Sequence, residues 1–237
     1  MDEAGVANRA LQLPPETIKD GISVDFVAVP WGAALGDSYY DTMLMDMSVF
    51  EAGIKAEEEG YDAVCIDTVS DSGMYALRSR LNIPVLGPGQ AAFHVACMLG
   101  HKFSVITMWD EWFHLYRKVL TEYKLESRCA SLRSINTRPD LEELLAGKEE
   151  VIFEKLEKES LKAIQEDGAD VIVLGSTTMH QSHGFLQQAL PVPVINPGLM
   201  SYKLCEIFLE TGLTHSKTAF PAPQQPNDQF ILSRVPD

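Results

Sequence analysis

The sequence predicts an α/β protein with parallel sheets arranged in two similar lobes. Two observations carry that expectation: short apolar runs alternate with longer segments of helical period, and one half of the chain repeats in the other. The runs 22–29, 63–67, Val85–Leu86, Phe103–Thr107, Val171–Leu174 and Val194–Ile195 are rich in Val and Ile and read as strands. Between them, 40–59, 73–80, 91–99, 111–123, Glu149–Asp167 and 200–211 read as helices. Glu149–Asp167 is the clearest, with Val151, Ile152, Leu156, Leu161 and Ile164 near one face and Glu and Lys on the other. Pro30, Gly32 and Gly36 mark a loop after the first run, and the proline-rich tail 221–237 reads as a surface arm.

Segment 1–20 reads as a capped helix or loop with no strand before it, although doubly wound folds usually open on a strand. The fold then either starts on a helix or belongs to a natural chain extending upstream of Met1. A ribosome start site mapped to this Met would rule out the second alternative.

The repeat aligns Glu58-Glu-Gly-Tyr-Asp-Ala-Val-Cys-Ile-Asp-Thr68 with Glu166-Asp-Gly-Ala-Asp-Val-Ile-Val-Leu-Gly-Ser176 at an offset of 108. Ile83-Pro-Val-Leu-Gly-Pro-Gly89 then aligns with Val192-Pro-Val-Ile-Asn-Pro-Gly198 at an offset of 109. The matched stretches are 58–98 and 166–207. From them follow a first lobe of residues 1–105 plus a C-terminal part of about 212–237, and a second lobe of 106–211. Thr68 and Ser176 each stand where a strand hands over to a helix. Ligands of open parallel sheets bind beyond such strand ends, so a pseudo-twofold pair of lobes would bring the two turns face to face across a cleft.

Composition narrows the partners. The chain of 237 residues carries 19 Lys+Arg against 34 Asp+Glu, a formal charge of −15, which argues against nucleic acid because phosphate binding draws on clustered cations. With 46% hydrophobic and 22% charged residues it is expected to fold and to be soluble. No apolar run approaches the roughly 20 residues needed to span a bilayer, so no membrane role is expected. Cys65, Cys97, Cys129 and Cys205 are scattered without metal-ligand spacing, and no apolar signal segment opens the chain; together these suggest a reducing, cytoplasmic setting and no metal.

The turns Thr68-Val-Ser-Asp-Ser72 and Ser176-Thr-Thr-Met-His180 have two readings. Their hydroxyls cap the first helical turn, or the same N–H groups and hydroxyls bind an anion such as a carboxylate. His180 is the candidate for proton transfer, since imidazole titrates near neutrality; a partly exposed histidine with no role is the alternative. His180 and His183 sit three apart but lack a third metal ligand. His94, His101, His114 and His215 read as structural. Thr107 and Trp109 end another strand and could line the cleft, with Trp112 beside them, or could simply be core residues. Gly87-Pro-Gly89 lacks phosphate-loop spacing and reads as a structural turn.

The segments Gly60-Tyr-Asp-Ala-Val-Cys-Ile-Asp-Thr68, Asp71-Ser-Gly73, Ile83-Pro-Val-Leu-Gly-Pro-Gly-Gln-Ala-Ala92, Phe103-Ser-Val-Ile-Thr107 and Gly168-Ala-Asp-Val-Ile-Val-Leu-Gly-Ser176 resemble the aspartate/glutamate/hydantoin racemase superfamily, most closely its hydantoin racemase branch. The likeness runs from about residue 22 to 220. It implies two pseudosymmetric flavodoxin-like lobes with the active site between them, homo-oligomeric assembly, and cofactor-independent proton transfer beside a carbonyl, usually by two cysteines. It also implies a strand ahead of the first helix, which supports an upstream extension. By the same resemblance the catalytic cysteines would fall at Thr68 and Ser176, so neither thiol is present; Cys65 reads as a packed core residue. An unassisted alcohol ionises far above neutral pH and cannot replace a thiolate as a carbon base.

The expected function is therefore a racemase-like isomerase without cofactor, acting on a small carboxylate, hydantoin or cyclic amide. Thr68, Ser176 and His180 are the expected catalytic residues, and Val69, Ser70, Thr107, Trp109, Thr177 and Thr178 the substrate-binding ones. The alternatives are a decarboxylase, lyase or hydrolase of the same superfamily using Ser and His, or a non-catalytic anion-binding protein. The overall negative field repels an anion, so affinity would have to come from local N–H and hydroxyl groups.

Overall fold

A computed structural model describes residues 3–138 and 149–232. In chain order the elements are α1 (Glu3–Ala10), α2 (Tyr39–Gly53), β1 (Val64–Cys65), α3 (Met74–Arg80), β2 (Val85–Leu86), α4 (Pro88–Leu99), β3 (Phe103–Thr107), α5 (Phe113–Tyr123), β4 (Cys129–Ser134), α6 (Glu149–Asp167), β5 (Val171–Leu174), α7 (His183–Ala189), β6 (Val194–Ile195), α8 (Pro197–Thr211) and α9 (Asp228–Leu232). Both sheets are parallel: β1 pairs with β2, and the larger sheet has the order β4-β3-β5-β6. Among the described residues no helix is long and apolar enough to cross a membrane.

The repeat is visible as register. Val64 pairs with Val85 and Cys65 with Leu86; at offsets of 108 and 109, Ile172 pairs with Val194 and Val173 with Ile195. The hydrogen bonds entering the pairs also match, Val64 N–H to Pro84 O and Ile172 N–H to Pro193 O, each 2.9 Å. Before each repeated strand the chain turns at a glycine in the left-handed region, Gly60 at φ +89° and Gly168 at φ +74°, where any side chain would be strained.

The chain divides into two compact units: Met1–Ile66 with Ser72–Leu86 and Tyr202–Asp237, and Asp67–Asp71 with Gly87–Ser201. These boundaries differ from the expected lobes. Residues 87–105 fall in the second unit because Ala92, Phe93 and Ala96 of α4 pack with Phe103, Val105, Val171 and Val173 in one core. Residues 202–211 fall in the first unit, where Glu206 accepts from Lys19 N–H at 3.0 Å and Lys203 donates to Thr17 O.

The second unit shows why β5 and β6 are apolar throughout and β3 nearly so. Side chains alternate across the sheet, so Val105, Val171 and Val173 enter the layer formed with α4 and α5 while Ile106, Ile172 and Leu174 enter the layer formed with α6 and α7. α6 turns Ile152, Leu156 and Ala163 into that second layer, and Arg133 of β4 is held by Asp167 at 2.6 Å and Glu166 at 2.7 Å. Strand β4 is a polar edge strand that the search for apolar runs misses. Segment 22–29, expected as a strand, forms none. Its residues do alternate between half-buried and exposed positions over 22–27, the periodicity that suggested a strand, but among the described residues no neighbouring backbone pairs with it.

Candidate functional site

The turn after β1 is fixed by a buried carboxylate. Asp71, 5% exposed and at φ +52°, accepts Gly89 N–H at 2.8 Å on Oδ1, and Gln90 N–H at 2.7 Å and the Tyr123 hydroxyl at 2.9 Å on Oδ2. It therefore caps the N-terminus of α4 rather than its own helix, where the helix dipole favours a negative charge. This contact works only because residue 89 has no side chain: a Cβ there would lie 2.2 Å from Val69 O. Within the turn Thr68 is half-buried, Val69 and Ser70 are buried, and Thr68 O accepts Asp71 N–H at 2.9 Å.

The turn after β5 is fixed by a tyrosine. The Tyr116 hydroxyl donates to Gly175 O at 2.6 Å, so the Thr107 hydroxyl, 2.7 Å away, must donate to Tyr116. A Cβ on Gly175 would stand 2.7 Å from Thr107 Cβ. Beyond this clamp Ser176 is the N-cap of a 3-10 helix over Thr177–Ser182; its Oγ accepts Thr178 N–H at 3.2 Å and pairs with Thr178 Oγ1 at 2.7 Å. His180 sits on this helix with Nδ1 3.1 Å from Thr177 O. A carbonyl only accepts, so Nδ1 carries a proton, and in the neutral ring Nε2 is the basic nitrogen.

The two turns meet. Thr177, 1% exposed, donates its hydroxyl to Asp67 O at 3.1 Å, which brings the segment holding Thr68, Val69 and Ser70 against the segment holding Ser176, Thr177, Thr178 and His180.

Other expectations need correction. Thr107 is fully buried with its hydroxyl spent on Tyr116, so it clamps β3 to β5 and does not line a site. Trp109 is half-buried and packs, with Trp112, against the core that includes Ile106 and Met108. Thr178 N–H is taken by the Ser176 hydroxyl, which removes it from the expected set of anion donors. Cys65, expected in the core, is exposed. Ser176 bonds to Thr178 and not to His180, so no Ser–His nucleophile pair is assembled. Asp71, Tyr116 and Tyr123 escape a reading by sequence because their partners are distant in the chain; a buried acid within a hydroxyl-rich turn is the nearest signal.

Four of the five remaining histidines hold a ring nitrogen in a hydrogen bond. His94 Nδ1 meets Gln90 O at 2.8 Å, His114 Nδ1 meets Glu111 O at 2.7 Å and His183 Nε2 meets Val194 O at 3.1 Å. His215 Nε2 accepts Val85 N–H at 2.8 Å. Among the described residues no three His, Cys, Asp or Glu side chains gather as a metal-binding group.

A parallel α/β fold with two hydroxyl turns in contact at strand carboxyl ends, and an imidazole on one of them, defines a protein with a candidate small-molecule site. Comparison with known proteins identifies its kind. The Asp/Glu/Hydantoin racemase family model matches residues 7–205, and the chain belongs to that family. It is 32% identical over 191 residues to a hydantoin racemase of Pseudomonas sp. (strain NS671), covering 81% of this chain and 76% of the relative. It is 34% identical over 167 residues to a hydantoin racemase of Rhizobium meliloti, covering 69% and 66%. Among solved structures, allantoin racemase from Klebsiella pneumoniae superposes with a TM-score of 0.86 at 26% identity, over 95% of this chain and 91% of that one.

Proposed function

We propose that this protein is a racemase-type isomerase that moves a proton at a carbon beside a carbonyl of a small anionic substrate, a carboxylate, hydantoin or related cyclic amide, without a cofactor. The observation that carries the reading is the hydrogen bond from Thr177 to Asp67 O, because it presents Thr68 and Ser176 in one neighbourhood with His180 on the second turn.

Neither position 68 nor 176 holds a thiol, so the proton has to be handled differently from a two-thiol reaction. His180 is the group suited to remove it: with Nδ1–H donated to Thr177 O, Nε2, which is buried in this structure, takes the proton once substrate displaces its cover, as the C–H bond breaks and its electron pair moves into the adjacent carbonyl. The resulting enolate oxygen is stabilised by backbone N–H groups of Val69, Ser70 and Thr177 and by one hydroxyl. Ser176 and Thr178 carry two hydroxyl protons and spend one on each other, which leaves the other to donate. Thr68 orients the water that returns a proton to the opposite face, and the hydroxide left behind is neutralised by the proton that His180 releases. The family relationship and the lack of an assembled Ser–His pair both favour this over a hydrolase. Homo-oligomeric assembly and a cytoplasmic location belong to the same reading.

The test is solvent exchange. Single enantiomers of 5-substituted hydantoins, allantoin, aspartate and glutamate are incubated in D2O with the protein and followed by proton NMR and polarimetry. Loss of the α-proton signal together with loss of optical rotation supports the isomerase, and His180→Gln should slow it about 100-fold or more. Absence of exchange across the panel would sink the proposal; ring opening or release of CO2 would point to a lyase, hydrolase or decarboxylase.

A further inference from the structure

Both hydroxyl turns are held by one helix. Tyr116 and Tyr123 stand seven residues apart on α5, close to two full turns, so their side chains leave the same face about 10 Å apart along the axis. Tyr116 donates at 2.6 Å to Gly175 O, the carbonyl just before Ser176. Tyr123 donates at 2.9 Å to Asp71 Oδ2, in the turn that carries Thr68, Val69 and Ser70, and Asp71 N–H reaches back to Thr68 O at 2.9 Å. The Thr177 hydroxyl on Asp67 O joins the two turns to each other, so these bonds close a circuit: first turn, Tyr123, α5, Tyr116, second turn, Thr177 and back.

We propose that Tyr116 and Tyr123 are positioning residues that make α5 a common strut for the two turns, fixing how the Val69, Ser70 and Thr177 N–H groups and the His180 ring face one substrate. Two segments joined by the Thr177 bond alone can pivot about it; two further attachments to a rigid helix remove that freedom. The helix is suited to the task because Tyr116 is 2% exposed and Val119 and Leu120 beside it are buried in one core with Phe93, Phe103 and Val105, while Tyr123 packs against that core. Burial pushes the Tyr116 phenol well above its usual range, which keeps it a protonated donor. Both phenols act through the turns, since each hydroxyl is spent on a turn atom.

The catalytic consequence rests on the proton-transfer reading above, whereas the placement of the turns does not. A misplacement of about 1 Å at groups that grip the reacting atoms can cost on the order of 100-fold in rate. With the Thr177 bond still in place, loss of one tyrosine bond is expected to cost about tenfold in kcat. KM should move little, because the N–H groups grip an oxygen whose charge develops only in the transition state.

The experiment compares the whole protein with its Tyr116→Phe, Tyr123→Phe and Ser160→Ala variants, by amide hydrogen exchange read in peptides and by α-proton exchange kinetics on the substrate panel above. Each Tyr→Phe change removes one hydroxyl and keeps the ring in place. Ser160→Ala removes a buried hydroxyl bond of 2.7 Å to Leu156 O, within α6, and so controls for lost stability alone. Tyr116→Phe should speed amide exchange about tenfold in 175–180, and Tyr123→Phe in 67–72. In each, kcat should fall about tenfold with KM within about twofold of the parent, and Ser160→Ala should change neither the turns nor kcat. Unchanged protection of both turns, a rise across the whole unit matched by Ser160→Ala, an effect on KM alone, or a parental kcat in both tyrosine variants overturns the proposal. If the parent exchanges no α-proton on any substrate, the proposed reaction fails, while protection of the two turns still decides the strut.

Discussion

The Thr177 hydroxyl donates to the carbonyl oxygen of Asp67 at 3.1 Å, a bond between residues 110 apart in sequence. Both turns follow strand ends, so this bond ties the segment that carries Thr68 to the segment that carries Ser176. Thr177→Val keeps the shape of the side chain but removes this donor from a half-buried Asp67, at a cost of about 1 kcal/mol. The expected result is a matching fall in stability by denaturant titration and a larger fractional loss of α-proton exchange, with Thr177→Ser restoring both. Full activity in Thr177→Val would show that the bond does not organise the site.

Asp71 makes a second prediction with a graded series. Asp71→Asn tolerates the left-handed backbone at φ +52° but replaces one of the two oxygens that together accept Gly89 N–H, Gln90 N–H and Tyr123 O–H with an NH2 donor. A loss of about 2–3 kcal/mol is expected, against about 1 kcal/mol for Tyr123→Phe, which removes a single bond. Equal effects of the two substitutions in thermal or denaturant unfolding would contradict the assignment of the carboxylate as the cap of α4.

Much of this architecture was legible because parallel strands buried on both faces are nearly all apolar, and because the repeat was exact enough to give offsets of 108 and 109 that return as strand register. Strand β4 was hidden for the opposite reason: it lies at the sheet edge, half-buried throughout, and Ser131 and Arg133 break any apolar run. Segment 22–29 misled because alternating burial is a property of one chain, while a strand needs a partner. At the site, hydroxyls at positions 68 and 176–178 could be found by type and place, but hydrogen bonding decided their roles. Thr107 ends a strand just as Thr68 follows one, yet a tyrosine from α5 claims its hydroxyl, and no local pattern announces that.

The close approach at Gly89 yields a paired test. Gly89→Ala would put a methyl group 2.2 Å from Val69 O and 3.0 Å from Asp71 Oδ2, so the α4 N-terminus must retreat and the cap must loosen. A cost of several kcal/mol, on the order of 3 or more, is expected because the obstacle is backbone. Gly184→Ala, on helix α7, meets nothing within 4 Å and should stabilise by about 0.5–1 kcal/mol through helix propensity alone. Melting temperatures moving in opposite directions would bear this out; a neutral Gly89→Ala would mean the Asp71 cap does not require the contact.

His215 provides a pH test that is independent of catalysis. Its imidazole is pushed down from 6.5 to about 4, first by burial and then by the nearby Arg78 guanidinium and Lys217 ammonium. Protonating Nε2 would also break the 2.8 Å bond it accepts from Val85 N–H. Between about pH 6.5 and 4 the unfolded chain takes up a proton that the folded chain refuses, so stability must fall as pH drops through that window. With its partial exposure allowed for, the effect should reach on the order of 2 kcal/mol. His215→Gln should be less stable than the parent at pH 7.5 but should lose less between pH 7 and 4.5 when unfolded by urea. A variant that keeps the full acid-induced loss would place its origin in other groups.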